Sequence, residues 1–153
     1  MTRHAQDPSL SEMNTHLDRL CHFQLAAGLP ADASLLPAKN GTPTLLVGRR
    51  HIHSAFDPQR EAERIAGQHR QAAEGVLFGY GCGHVALAWH ASAPRPLLVV
   101  ECRPDLLPAG RSTADQLPPG SGMFFARAEG GRPLEEDVLR FIRSLPASSL
   151  KSL

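Results

Sequence analysis

The spacing of apolar positions changes along the chain, and each change marks an expected element. Met13, Leu17, Leu20, Cys21 and Leu25 recur at three- and four-residue intervals, the spacing of one helix face. Ser9 and Glu12 stand at capping-box spacing ahead of them, and Gly28 and Pro30 stop the pattern. An amphipathic helix is therefore expected over residues 9 to 28. Pro30, Pro37, Gly41 and Pro43 make residues 30 to 43 read as a connector. Thr44 to Val47 is a short apolar strand, Gly48-Arg49-Arg50 a turn, and His51 to Ser54 the returning strand of a hairpin. Asp57-Pro58 then opens a helix, because Asp is a favoured N-cap and Pro at the first helical position sacrifices no needed donor. This helix is expected to run to about Ala73, with Ala62, Ile65, Ala66 and His69 along one face.

A β-α-β unit follows. Val76-Leu77-Phe78 is a short apolar strand, and residues 79 to 83, Gly-Tyr-Gly-Cys-Gly, form a glycine-rich turn. His84 to Ala91 reads as a short helix, ended by Pro94 and Pro96. Leu97 to Val100 is a continuous apolar run of the kind buried on both faces of a parallel sheet, and it ends in Glu101. Beyond it Pro104, Pro108, Gly110, Pro118, Pro119 and Gly120 exclude any long helix. Met123 to Ala126 is a third apolar strand. Leu134 to Leu145 closes the pattern as a helix with Leu134, Val138, Leu139, Phe141 and Ile142 toward the core. These elements predict an α/β protein: a small, Rossmann-like parallel sheet flanked by helices, with an N-terminal helix and a short β-hairpin. Residues 1–29 form the helical segment, 30–145 the α/β domain and 146–153 a frayed tail.

Composition narrows the classes of function. The chain has 153 residues, 42% of them hydrophobic and 20% charged, which suits one globular domain. Its 16 basic and 15 acidic residues leave a formal charge of +1, and only 5% of residues are aromatic, so neither a nucleic-acid field nor a stacking platform is expected. Three cysteines, Cys21, Cys82 and Cys102, are too few and too scattered for a disulfide framework. The polar N-terminus shows no export signal, and no apolar run approaches the ~20 residues of a membrane span. A cytoplasmic protein that neither binds nucleic acid nor enters a membrane is expected.

The candidate chemistry gathers at the carboxyl end of the sheet. Gly79, Gly81 and Gly83 lie between a strand and a helix, where backbone can approach a ligand and free N–H groups await an anion. Glu101 ends the next strand, where a carboxylate can accept from a ribose diol. These four are the candidate ligand-binding residues. The pattern departs from G-x-G-x-x-G, with Ala86 in place of its third glycine. Compared with S-adenosylmethionine methyltransferases, the G-C-G segment and the distant Glu match; Gly79 replaces a common acidic residue and Val85 a common glycine. The plain alternative is a tight turn that binds nothing. His51 with His53, and Cys82 with His84, lack the spacing of a structural zinc site, so no metal ligands are assigned. Cys82 reads as a small buried residue rather than a nucleophile, and no catalytic residues are assigned.

The motif order resembles one family. G-T-P-T-L-L-V, then H-I-H-S-A-F-D-P-Q-R-E-A-E-R, then V-L-F-G-Y-G-C-G-H, then L-L-V-V-E-C-R-P-D is similar to the N-terminal domain of the motility-associated factor (Maf) glycosyltransferases. That family is related to 6-hydroxymethylpterin diphosphokinase MptE-like proteins. The resemblance covers roughly residues 10 to 145. It places a structural motif at His53, Ser54, Asp57, Pro58 and Glu61, ahead of the glycine turn and Glu101. It implies transfer of nonulosonic acids from CMP-activated donors to flagellin Ser or Thr, by a domain that follows this one. The chain ends where that N-terminal domain would end. What the resemblance implies here is a non-catalytic module, truncated or standing alone, with a glycosyltransferase domain or flagellin as partner and no required cofactor. The alternative is a small methyltransferase-like protein that binds S-adenosylmethionine or a nucleotide.

Overall fold

The computed structural model describes residues 28–92, 95–117, 123–126, 128–129, 132–133 and 135–145. The helix expected over 9 to 28 and the tail expected over 146 to 153 lie outside the described residues.

The element order is β1 (Ala33–Pro37), β2 (Pro43–Val47), β3 (Arg50–His51), α1 (Pro58–Gln68), β4 (Gly75–Phe78), α2 (His84–Ser92) and β5 (Leu97–Val100). A 3-10 turn (Pro104–Gly110), α3 (Arg111–Ala114), β6 (Met123–Ala126), β7 (Ala128–Glu129), β8 (Arg132–Pro133) and α4 (Glu135–Ser144) follow. β4, β5 and β6 form a parallel sheet in sequence order, with Val76 opposite Leu98 and Leu98 opposite Phe124. β1, β2 and β3 form a separate antiparallel sheet. The chain is thus an α/β protein built on a parallel three-stranded sheet.

The central strand explains the order of layers. All four residues of β5 are at most 3% exposed, so both of its faces are covered. Leu97 and Val99 pack with Tyr80, Ala86 and Trp89 on the face that α2 covers. Leu98 and Val100 pack with Phe141 on the face that α4 covers, with Val138 and Leu145 beside it. A run apolar at every position is what such a strand requires.

Several sequence expectations change here. The connector at 30 to 43 contains β1, which pairs along its whole length with β2 from Ala33–Val47 to Pro37–Pro43. Only Ala33 of β1 is buried, so no apolar alternation announces it, and the prolines stand at its end where no ladder donor is lost. The returning strand is only Arg50–His51, because beyond Ile52 the chain turns into the start of α1. α1 ends at Gln68 rather than near Ala73. There the Arg95 guanidinium accepts the role of terminator, donating to the His69 and Ala72 carbonyls at 2.8 Å each. Leu139 of α4 is 41% exposed and does not join the core. The β7–β8 hairpin had a readable signal in Gly130-Gly131, which stands between the two strands in the sequence.

Candidate functional site

The H-S-x-x-D-P-x-x-E segment folds into a chain of local hydrogen bonds. Ser54 Oγ accepts from the Phe56 and Asp57 N–H groups at 3.1 and 3.2 Å. Asp57 caps α1 by accepting from the Arg60 N–H at 3.0 Å, and it also accepts from Asn40 Nδ2 at 3.0 Å. Pro58, at the first helical position, is buried. Glu61 reaches back to accept the Ser54 N–H at 2.7 Å. Carboxylates at a helix start also sit favourably in the helix dipole. Ser54, Asp57, Pro58 and Glu61 therefore set the entry angle of α1.

His53 carries this assembly to the glycine turn. Its Nε2 accepts from the Cys82 N–H at 2.8 Å. An accepting nitrogen is unprotonated, so the ring is neutral with its proton on Nδ1. Burial pushes the His53 pKa down to about 4, helped by neighbouring His84 and opposed by Glu61. The two histidine rings meet edge to face with centroids 5.2 Å apart. His84 in turn donates from Nε2 to the Pro43 carbonyl at 2.8 Å. One histidine from each side thus ties the antiparallel sheet to the glycine turn. The sequence pairs His51–His53 and Cys82–His84 do not act as pairs: His51 is exposed, and the contact runs from His53 to His84 and to the Cys82 backbone. Among the described residues no group of three or more His, Cys, Asp or Glu is placed to hold a metal.

The glycines have individual reasons. Gly79, Gly81 and Gly83 have φ of +83°, +55° and +80°, where L side chains are strained. A Cβ on Gly81 would strike the His53 imidazole, and one on Gly83 would strike Thr113 and Tyr80. A Cβ on Gly79 would meet open space, and Gly79 is exposed. Thr113 Oγ1 also donates to the Cys82 carbonyl, so α3 clamps the turn from the far side. Cys82 is 1% exposed, among Leu45, Leu106 and Ala109, and burial pushes its thiol up to about 12. A thiol held protonated is a poor nucleophile.

Glu101 lies beside the turn, as the sequence places it. Its Oε2 accepts the Tyr80 N–H at 2.8 Å and its Oε1 the Arg103 N–H at 2.9 Å. Arg103 then pairs with Asp32 and Asp105, both at 2.8 Å, closing the antiparallel sheet onto the 3-10 turn. A groove of about 480 Å³ runs between α1 and α2, with Glu63, Arg70, His84, Leu87 and Ala88 in its walls, so it reaches the site at His84. None of Gly79, Gly81, Gly83 or Glu101 lines it.

Arg95 is a residue that sequence reasoning missed. It is 8% exposed, stacks 3.6 Å from the Trp89 ring and donates to carbonyls at the end of α1 and to Ser92 Oγ. The carbonyls it serves lie 26 and 23 residues away, so its place at the end of α1 has no local sequence signature.

No protein-family profile, curated protein or solved structure matches the chain. Among the described residues no helix is long and apolar enough to cross a membrane.

Proposed function

We propose that the chain is a non-catalytic, cytoplasmic module of the Maf type that serves flagellin glycosylation by binding a glycosyltransferase domain or flagellin. One observation carries this reading. The polar motif residues His53, Ser54, Asp57 and Glu61 are all engaged within the fold, where they orient α1 and join the antiparallel sheet to the glycine turn. Groups held this way build a shape and do not need a substrate to satisfy them. The module's contribution is then a rigid surface. Purified chain is expected to retain flagellin or a Maf-type transferase domain in a pull-down. Retention of neither, with the chain shown folded by circular dichroism, overturns the reading.

A second reading draws on Glu101. Its carboxylate touches the glycine turn at the carboxyl end of the sheet, and each oxygen retains a lone pair beyond the backbone N–H it accepts. That juxtaposition suits a ribose diol next to an open Gly79. Calorimetric titration with S-adenosylmethionine and with CMP separates the two readings. The favoured module gives no binding heat. Saturable heat that disappears in Glu101→Ala supports the nucleotide reading instead.

A further inference from the structure

The groove between α1 and α2 has two chemically distinct ends. Arg95 donates to the His69 and Ala72 carbonyls just past α1 and to Ser92 Oγ at the end of α2, so the two helices finish side by side. They also begin side by side, because His53 ahead of α1 accepts the Cys82 N–H ahead of α2. Gln59, Glu63 and His84 therefore line the starting end, and Arg70 and Ser92 the finishing end. Between them Ala66, Gly67 and Ala88 leave a floor without bulk, and a Cβ on Gly67 would meet nothing within 4 Å.

The polar groups of this groove are left for something outside the fold to satisfy. His84 is 6% exposed, and its Nε2 donates to the Pro43 carbonyl. The neutral ring then carries its lone pair on Nδ1, and no described residue donates to that atom. A buried acceptor in a groove wall takes its hydrogen bond from whatever occupies the groove. Glu63 and Arg70 are exposed, and among the described residues neither side chain has an ion-pair or hydrogen-bond partner. Their spacing along α1 and its last turn separates the two charges by about 10 Å. We propose that the groove binds a short peptide with free termini, about three residues long. Its ammonium has three N–H donors, matched by Glu63, the Gln59 side-chain carbonyl and His84 Nδ1. Its carboxylate meets the Arg70 guanidinium, a fork that suits two carboxylate oxygens. Three extended residues span about 10–11 Å, the separation of the two charges. The volume of about 480 Å³ is that of a small-ligand site. Asp57 and Glu61 at the start of α1 offset the positive helix ends beside the ammonium.

Titration of the full chain with trialanine tests the proposal, followed by calorimetry and by the NMR signals of the His84 ring nitrogens. Saturable binding is expected, with a shift of the His84 Nδ1 signal. N-acetyl-trialanine and trialanine amide should each bind about tenfold more weakly or worse, since each loses a charged contact. Glu63→Gln and Arg70→Gln should weaken trialanine by a similar factor. Gly67→Leu fills the floor and should abolish binding. All three positions are exposed, so circular dichroism and the urea midpoint of these variants should match those of the parent chain. No saturable binding of trialanine, a blocked peptide that binds as tightly as trialanine, or binding retained in folded Gly67→Leu overturns the proposal.

Discussion

Gly81→Ala puts the docking of the two sheets to a quantitative test. Gly81 has φ +55°, and an alanine held there carries about 1–2 kcal/mol of backbone strain. The new methyl also occupies the position of the His53 imidazole. If the ring moves aside, the buried Cys82 N–H loses its acceptor, at about 1–3 kcal/mol. The total is about 2–5 kcal/mol, a large share of the 5–15 kcal/mol typical of a domain. With a urea slope of about 2 kcal/mol/M, the unfolding midpoint falls by about 1–2.5 M. Gly79→Ala is the control. It has φ +83° but faces open space, so only the strain remains and the midpoint falls by about 0.5–1 M.

A double-mutant cycle isolates the histidine. His53→Ala removes the obstacle and the acceptor together. In that background Gly81→Ala should cost only the strain, leaving a coupling of about 1–3 kcal/mol. If Gly81→Ala is no worse than Gly79→Ala, or if the His53 and Gly81 losses simply add, the His53–Cys82 link does not hold the turn.

Three further outcomes follow from the same structure. His53 is neutral when folded with a pKa near 4 against 6.5 when exposed, so protons favour the unfolded chain; its stabilisation is complete above pH 6.5 and is lost, up to about 3 kcal/mol, as pH falls toward 4. Burial and Arg95 lower His90 in the same direction, so His53→Gln should flatten but not abolish the decline in urea midpoint between pH 7.5 and 4.5; an unchanged decline refutes the assignment. Arg95→Ala should cost about 2–4 kcal/mol by orphaning carbonyls at the end of α1 and uncovering Trp89, and Arg95→Lys should recover less than half, since an ammonium cannot make the planar stack and fork. Thermal unfolding of the two variants reads this, and full recovery by Lys would show that charge alone matters. In a Cys21→Ala background, Ellman's reagent should modify exposed Cys102 rapidly and buried Cys82 only after denaturant is added; two fast thiols would contradict the packing around Cys82.

What could be read from the sequence, and what could not, divides along the range of the interactions. β4, α2 and β5 are legible because each is specified by its own residues: apolar runs, a glycine turn and a proline stop. The start of α1 is legible for the same reason, since Asp57 and Pro58 act within one turn. β1 is not, because it is an exposed edge whose only strong specification is pairing with β2. The end of α1 is not, because Arg95 determines it from 26 residues away. At the candidate site the residues were legible but their partners were not. His53 looks like half of a histidine pair with His51, and only the fold reveals that its partner is a backbone N–H 29 residues later.

That distinction bears on how the motif should be read. His, Ser, Asp and Glu in close sequence suggest catalysis, because those side chains can move protons. In this chain they face backbone donors instead: Ser54 and Asp57 those of the helix entry, Glu61 that of Ser54, and His53 that of Cys82. A neutral imidazole that must accept a hydrogen bond cannot also serve as a general base without releasing the turn. Acid–base work by His53 would therefore release the Cys82 N–H that the glycine turn presents to it. The open side of the site lies at Gly79 and the Glu101 carboxylate.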